Sequence, residues 1–276
     1  MVKSWSRRAA ALALASSVGS SQLPAQQYWP DRGEGTVVRA DFLKPFFKGD
    51  AYQFLSGAVF FSVSGPVGKT LRLEADVPLA RASFSIPGLS SRSSVKLGNP
   101  YVGMLVHREG RPLSGYLGLR LPLASSPSSS AGALALIAGG LADPDRFEAF
   151  VAKVFTVRGG VEMRSLSPAG LLLGAKLGLS LLVSTEGGDE SELFADYGVR
   201  IGYQDAKVRT TVAITGRYQV TGDGASFSDR TEHVITGVVE LRRGRVRPSG
   251  LIRVPLDHEV REIFGATAGF GLAIVL

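Results

Sequence analysis

Apolar residues recur at every second position in about twelve separate stretches of this 276-residue chain, and that period constrains the fold more than any other feature. In Leu71–Leu79, for instance, Leu71, Leu73, Ala75, Val77 and Leu79 alternate with Arg72, Glu74, Asp76 and Pro78. Tyr197, Val199, Ile201 and Tyr203 alternate in the same way with Asp196, Gly198, Arg200 and Gly202. A period of two is the signature of a strand with one apolar and one polar face. The stretches run Thr36–Phe46, Leu55–Ser64, Leu71–Leu79, Val95–His107, Leu113–Leu123, Val151–Arg164, Gly170–Ser184, Asp196–Tyr203, Val208–Tyr218, Glu232–Arg242, Arg245–Leu256 and Gly265–Leu276. The expected fold is all-β and antiparallel.

The chain begins with Lys3, Arg7 and Arg8 ahead of an apolar run from Ala9 to Val18, followed by small and polar residues up to Ala25. This is the pattern of a secretory signal peptide, here assigned to residues 1–25 with cleavage after Ala25, Ser20 or Ser21 being the alternative because Leu23 fits poorly two residues before the cut. Losing the three basic residues would lower the formal charge from +7 to +4, so the mature chain is only mildly basic. There are no cysteines, hence no disulfide staples for an exported chain. No run reaches the eighteen or so apolar residues of a membrane-spanning helix; Ala131–Ala142 is the longest and holds glycines. Residues 26–276 are expected to form one domain, and if it crosses a membrane it does so with strands.

The connections between stretches alternate in length. Tight turns such as Gly65-Pro66-Val67-Gly68 follow the even-numbered stretches, and longer polar segments such as Thr221–Arg230 follow the odd ones. Membrane barrels carry this asymmetry, with short turns on one side and long loops on the other. Alternation alone also fits a soluble β-sandwich. The even strand number, the export signal and a strand at the C-terminus favour an up-and-down transmembrane barrel.

The last stretch carries Gly269, Phe270, Gly271, Ile274 and Leu276, in the order G-x-G-x-x-I-x-L if Phe270 is counted as variable. It resembles the C-terminal insertion signal of bacterial outer-membrane β-barrel proteins, with Leu276 where that family usually ends in Phe or Trp. The resemblance implies the outer membrane of a Gram-negative bacterium, contact with outer-membrane lipid and assembly by the barrel-assembly machinery. By architecture the chain resembles twelve-stranded porins that take up acidic oligosaccharides along arginine tracks, and more loosely hydrocarbon-uptake barrels. Gln26–Asp41 contains no motif of the plug found in the latter.

In such a barrel Leu, Val, Ile and Phe face lipid, Tyr203 and Tyr218 suit the interfacial girdle, and the charged face lines the lumen. The basic residues expected there are Arg72, Arg120, Arg158, Lys176, Arg200, Arg209, Arg217, Arg242 and Arg253, against Glu74, Asp76, Glu162, Asp196 and Glu240. Basic rings favour anions. The expected function is a channel or transporter for small polar or anionic solutes. The alternatives are a structural or adhesion barrel filled by its own ion pairs, an uptake barrel for hydrophobic compounds, and an outer-membrane lipid hydrolase.

A loose repeat, Asp76-Val77-Pro78-Leu79, Arg120-Leu121-Pro122-Leu123 and Arg253-Val254-Pro255-Leu256, is expected where odd-numbered strands finish, which puts all three at the same, outer rim. Between Ala124 and Phe150 lies the longest irregular segment. It opens with a Ser-rich tether, Ser125–Ser130, and Asp143-Pro144 starts a short helix toward Phe147 and Phe150. Its apolar part, Ala131–Ala142, is awkward in water, which favours packing into the barrel mouth over a surface cap.

No catalytic or cofactor motif emerges. Gly65–Thr70 has the ending of a phosphate-binding loop but not its spacing or its following helix. His107, His233 and His258 lack metal-ligand spacing, so no metal site and no cofactor are expected. A lipid hydrolase would need a serine beside a histidine on the lipid face, and His233 has no obvious serine neighbour near Tyr218 or Val254. No nucleic-acid partner is expected.

Overall fold

The computed structural model describes residues 35–48, 53–85, 92–108, 111–186, 191–221 and 230–276. The expected signal peptide and the segment as far as residue 34 lie outside the described residues.

Among the described residues thirteen strands form one antiparallel sheet that closes on itself. They are β1 (Val37–Phe47), β2 (Gln53–Val67), β3 (Leu71–Ser85), β4 (Arg92–Leu97), β5 (Tyr101–His107), β6 (Leu113–Arg120), β7 (Val154–Leu166), β8 (Leu171–Ser184), β9 (Glu192–Gln204), β10 (Val208–Gln219), β11 (Thr231–Leu241), β12 (Val246–Pro255) and β13 (Phe264–Val275). Apart from β4 and β5, each pairs with its sequence neighbours, and β13 pairs with β1 to close the ring, from Val37↔Val275 to Phe47↔Phe264. Because β4 and β5 both pair with β3, on Leu79–Phe84 and Leu71–Asp76 respectively, the barrel has twelve staves with one of them broken. The expected all-β, twelve-strand barrel is therefore the fold. Closure matters because it pairs the backbone of neighbouring staves around the ring, the condition for spanning a bilayer with strands, with β4 held on one side only, by β3.

The break corrects one expectation, a continuous strand over Val95–His107. At Gly98-Asn99-Pro100 the stave is interrupted, since Pro100 has no N–H for a ladder and the Asn99 N–H donates instead to the Ala149 carbonyl (2.6 Å). A second correction concerns the Pro-containing repeat. Arg120 and Arg253 do stand at strand ends, but Asp76 is in the middle of β3, which continues to Ser85 because β2 and β4 remain there to pair with it. The stretches expected to end at Leu123 and start at Val151 are also shorter, ending at Arg120 and starting at Val154. Between those residues the chain leaves the wall.

Side-chain burial follows the alternation. The outward face is an apolar belt including Val38, Phe42, Phe61, Leu73, Val102, Leu119, Leu177, Val199, Ile214, Ile252 and Phe270, all exposed. Tyr203 is exposed on that face near the short-turn end, and Tyr218 lies near the opposite end with the Arg230 guanidinium 5.1 Å from its ring centre. The inward face carries the charges. Short turns follow β2, β5, β7, β9 and β11, and the connections after β3, β6, β8, β10 and β12 are longer, as expected, whereas the one after β1 spans only five residues.

The segment between β6 and β7 fills the interior. After the exposed tether Ser125–Ser130 comes a helix, α1 (Ser130–Ala142), capped by the Ser129 hydroxyl, which accepts from the Gly132 N–H (3.1 Å). α1 packs inside against β1, β2, β3, β4 and β13, and a 3-10 turn, Pro144–Phe150, follows it. Asp143 precedes that turn as expected but does not cap it with its side chain, which is taken by arginines. Gly139 lets α1 lie close to the wall, since a Cβ there would come within 2.8 Å of Ala80 and 2.7 Å of the Phe150 ring.

Candidate functional site

The interior has two unlike sides. On one, α1 meets a strip of apolar or small inward residues, Leu43 on β1, Ala58 and Phe60 on β2 and Ala80 on β3, joined by Leu136, Ala142, Ala149 and Phe150 from the segment itself. Phe60 meets Phe150 edge to face at 5.6 Å between ring centres. The Arg146 guanidinium lies 3.4 Å from the Phe60 ring centre, a cation–π contact at the seam between the two sides.

On the other side the carboxylates of the 3-10 turn meet the basic wall. Glu148 takes the Arg120 Nε at 3.2 Å and the Arg158 Nη1 at 3.4 Å, with the Arg217 Nη2 at 3.8 Å, so guanidiniums from β6, β7 and β10 converge on one carboxylate. Arg120 and Arg217 are each only 1% exposed. Outer partners complete the cluster: Arg120 donates to Asp76 (3.0 Å), Arg217 donates to Asp196 (2.9 Å), and the Ser180 hydroxyl donates to Asp196 (2.5 Å). Asp143 pairs with Arg253 of β12 (2.7 Å) and Arg146 (2.7 Å), and the Thr215 hydroxyl donates to Asp145 (3.0 Å). Burial alone would oppose ionisation of Glu148, but Arg120, Arg158 and Arg217 together hold its carboxyl below the usual carboxylate range. For Asp143 burial is likewise overcome by Arg253 and Arg146.

One residue clamps the segment where it leaves and rejoins the wall. Asn99, fully buried at the stave break, accepts from the Ala124 N–H (2.7 Å) and donates from its amide to the Glu148 (2.9 Å) and Val151 (2.7 Å) carbonyls. At the far end the Thr267 hydroxyl of β13 donates to the Leu141 carbonyl (3.3 Å), satisfying a helix-end acceptor.

The expected lumen residues all lie on the inward face. Arg72 donates to the Gly35 carbonyl (2.9 Å) and to Ser64, Arg209 to Gln204 (2.8 Å), and Glu240 lies between Arg39 (3.7 Å) and Arg209 (3.8 Å). Lys176 is buried, Glu74 and Arg200 are half-buried, Ser114 reaches Glu162, and Arg242 sits just past β11 beside Glu240 (3.8 Å). The basic excess expected from the strands is reduced, because Asp143, Asp145 and Glu148 arrive from the loop and Asp41 and Glu232 from strands, against Arg146 from the loop and Arg39 and Arg164 from strands. Arg39 and Asp41, 2.7 Å apart, form a further ion pair on this face, in positions that alternate with the outward Val38 and Phe42. The loop acids carried one usable signal, three carboxylates directly after an uncharged helix.

The residues of the expected insertion signal form the half of the closing strand nearest the short turns, where the Val275 N–H donates to the Arg245 carbonyl (2.9 Å). Phe270, Ile274 and Leu276 point outward and are exposed, Gly271 leaves the room that the Arg39 guanidinium occupies, and Gly269 does so for Leu43 and Leu251. The Leu276 N–H donates to the Thr36 carbonyl (2.8 Å).

His233 does face outward, but beside Tyr197 rather than Tyr218. Its Nε2 lies 2.7 Å from the Tyr197 hydroxyl and its Nδ1 3.4 Å from Asp257 Oδ1, with Gly216 of β10 between the two rings. Among the described residues no cluster of His, Cys, Asp or Glu has the makings of a metal site.

No family model matches the sequence, and no curated protein is similar to it in sequence. Solved structures share its fold at very low identity. An outer-membrane channel from Pseudomonas putida F1 superposes with a TM-score of 0.61 at 9% identity, covering 92% of this chain and all of that one. The NanC porin gives 0.53 at 8% identity over 88% of this chain and all of its own. The translocator domain of the autotransporter NalP from Neisseria meningitidis gives 0.51 at 10% identity, over 87% and 88%. The fold is thus that of outer-membrane β-barrels, shared by a channel, a porin and a translocator.

Proposed function

We propose that this protein is a non-enzymatic channel of the Gram-negative outer membrane for small polar or anionic solutes, held shut in the present state by its inward segment. The proposal includes export by the signal peptide at residues 1–25 and insertion by the assembly machinery through the end of β13. The observation that carries it is the placement of Arg120, Arg158, Arg217 and Arg253 on the lumen wall, with acids supplied by a loop and not only by neighbouring strands. A barrel needing charge balance alone could place the acids on adjacent strands, as it does with Asp76 and Asp196. Acids on a tethered segment make the balance removable. Once the segment is withdrawn, fixed positive charge in a confined lumen concentrates anions and repels cations.

A second reading, a filled and non-conducting structural barrel, is favoured by the burial of α1 and of Glu148 across the interior. Planar-bilayer recording under a salt gradient separates the two. Wild-type protein should conduct weakly. A variant with residues 131–149 replaced by a short Gly/Ser linker should conduct with a reversal potential favouring anions, less so after Arg158→Gln. Absence of current in the linker variant would establish the filled barrel, and cation preference would refute the anion channel.

A further inference from the structure

The inward segment has a chemistry of its own, and the wall answers it. α1 is an uncharged, largely apolar body, and Asp143, Asp145 and Glu148, with Arg146 among them paired to Asp143, form a head of net negative charge directly behind it. The wall offers the complement of each part. Leu43, Ala58, Phe60 and Ala80 cover the body, while Arg120, Arg158 and Arg217 surround the Glu148 carboxylate and Arg253 takes Asp143.

We propose that the segment occupies, as a built-in stand-in, a site for amphipathic organic anions: solutes with one carboxylate on an apolar body, which open the channel by displacing it. The inference rests on the channel reading and narrows its solute class. Buried guanidiniums without an anion are costly, so whatever replaces Glu148 must bring negative charge. An apolar strip vacated by α1 is rewetted at a cost unless the newcomer covers it. A small anion meets the first requirement only, and a neutral apolar molecule the second only. Because the stand-in is tethered, its effective concentration is high, and a solute that meets one requirement competes poorly. The exposed tether Ser125–Ser130 lets the segment move without breaking any strand pairing.

The chain has no cysteine, so Leu136→Cys places a single thiol on the buried side of α1. Labelling by a water-soluble maleimide then reports release of the segment, with 4-phenylbutyrate, acetate and 4-phenylbutanol as probes. Phenylbutyrate should speed labelling about tenfold at concentrations where acetate and phenylbutanol change nothing, a shift set by its differential affinity for the released state. Equal acceleration by acetate would show that charge alone matters and would overturn the proposal; so would equal acceleration by phenylbutanol, or none by any probe. If Leu136→Cys fails to give a heat-modifiable barrel, Ala138→Cys, also buried, carries the same test. A response in labelling without current through the linker variant would sink the channel and leave the site. Anion current through that variant without a response to phenylbutyrate would sink only the site.

Discussion

The two sides of the lumen are built from strands of one pattern yet hold the inward segment by different physics. Beside α1 the inward positions are Leu43, Ala58, Phe60 and Ala80, and contact there is apolar, insensitive to pH and tolerant of small shifts. Across from it the inward positions are Arg120, Arg158, Arg217 and Arg253, and contact depends on particular charged atoms being opposite one another. The apolar side supplies adhesion. The charged side supplies register and a way to let go, because an ion pair can be protonated or exchanged and a packed Phe cannot.

The sharpest way to break this comparison is to remove the central carboxylate. Glu148→Ala leaves three buried guanidiniums facing each other and should cost about 3–5 kcal/mol, read from urea unfolding in detergent micelles, since removal of one partner strands the other charges. A loss below about 1 kcal/mol would mean the cluster is wet and weak. Phe60→Ala attacks the apolar side, and the cavity it leaves should cost on the order of 3 kcal/mol by the same measurement. The two variants should differ in kind, as conductance against pH would reveal. Glu148 and Asp143 have depressed carboxyl pKa values, so their locking contribution is whole above the ordinary carboxylate range and is lost as pH falls through the lowered folded value. Conductance should therefore rise below about pH 4 in wild type and Phe60→Ala alike, taking the unperturbed carboxylate range as reference. Glu148→Gln should flatten that rise, and an unchanged pH profile would remove the charged side from any part in closure.

Smaller effects refine the picture. Asn99→Ala deprives the Ala124 N–H and the Glu148 and Val151 carbonyls of partners shared by both sides, at about 1–3 kcal/mol in the unfolding midpoint. At the outer rim Lys153 pairs with Glu186 where both are well exposed, and Lys153→Ala should shift stability by less than about 1 kcal/mol. A larger loss would show that the hinge of the segment is held from outside the lumen.

Most of the barrel was legible in the sequence because each strand's facing is a local matter: lipid on one side and charge on the other force a period of two, residue by residue. Where Tyr197, Val199 and Ile201 alternate with Asp196 and Arg200 there is only one register that keeps the charges out of lipid. The broken stave was legible only as a warning, since Pro100 excludes a continuous ladder but does not say what Asn99 will bind. The site was half legible. Arg120, Arg158, Arg217 and Arg253 could be assigned to the lumen by alternation, whereas Glu148 lies 28, 10 and 69 residues from the first three and Asp143 lies 110 from Arg253, for no local reason.

What the sequence determined by itself is the sheet: strand number, facing, the alternation of short turns and long loops, and an interior rich in arginine. What only the tertiary structure decided is the occupancy of that interior. A period-two pattern specifies which face a side chain is on but not what lies opposite across the lumen, and an apolar, uncharged stretch such as Ala131–Ala142 is buried equally well by lipid, by a partner or by a wall. Closing the sheet brought Leu43, Phe60 and Ala80 to one side and the guanidiniums to the other, and with the space thus shaped the helix and its carboxylates had a single place in which both were satisfied.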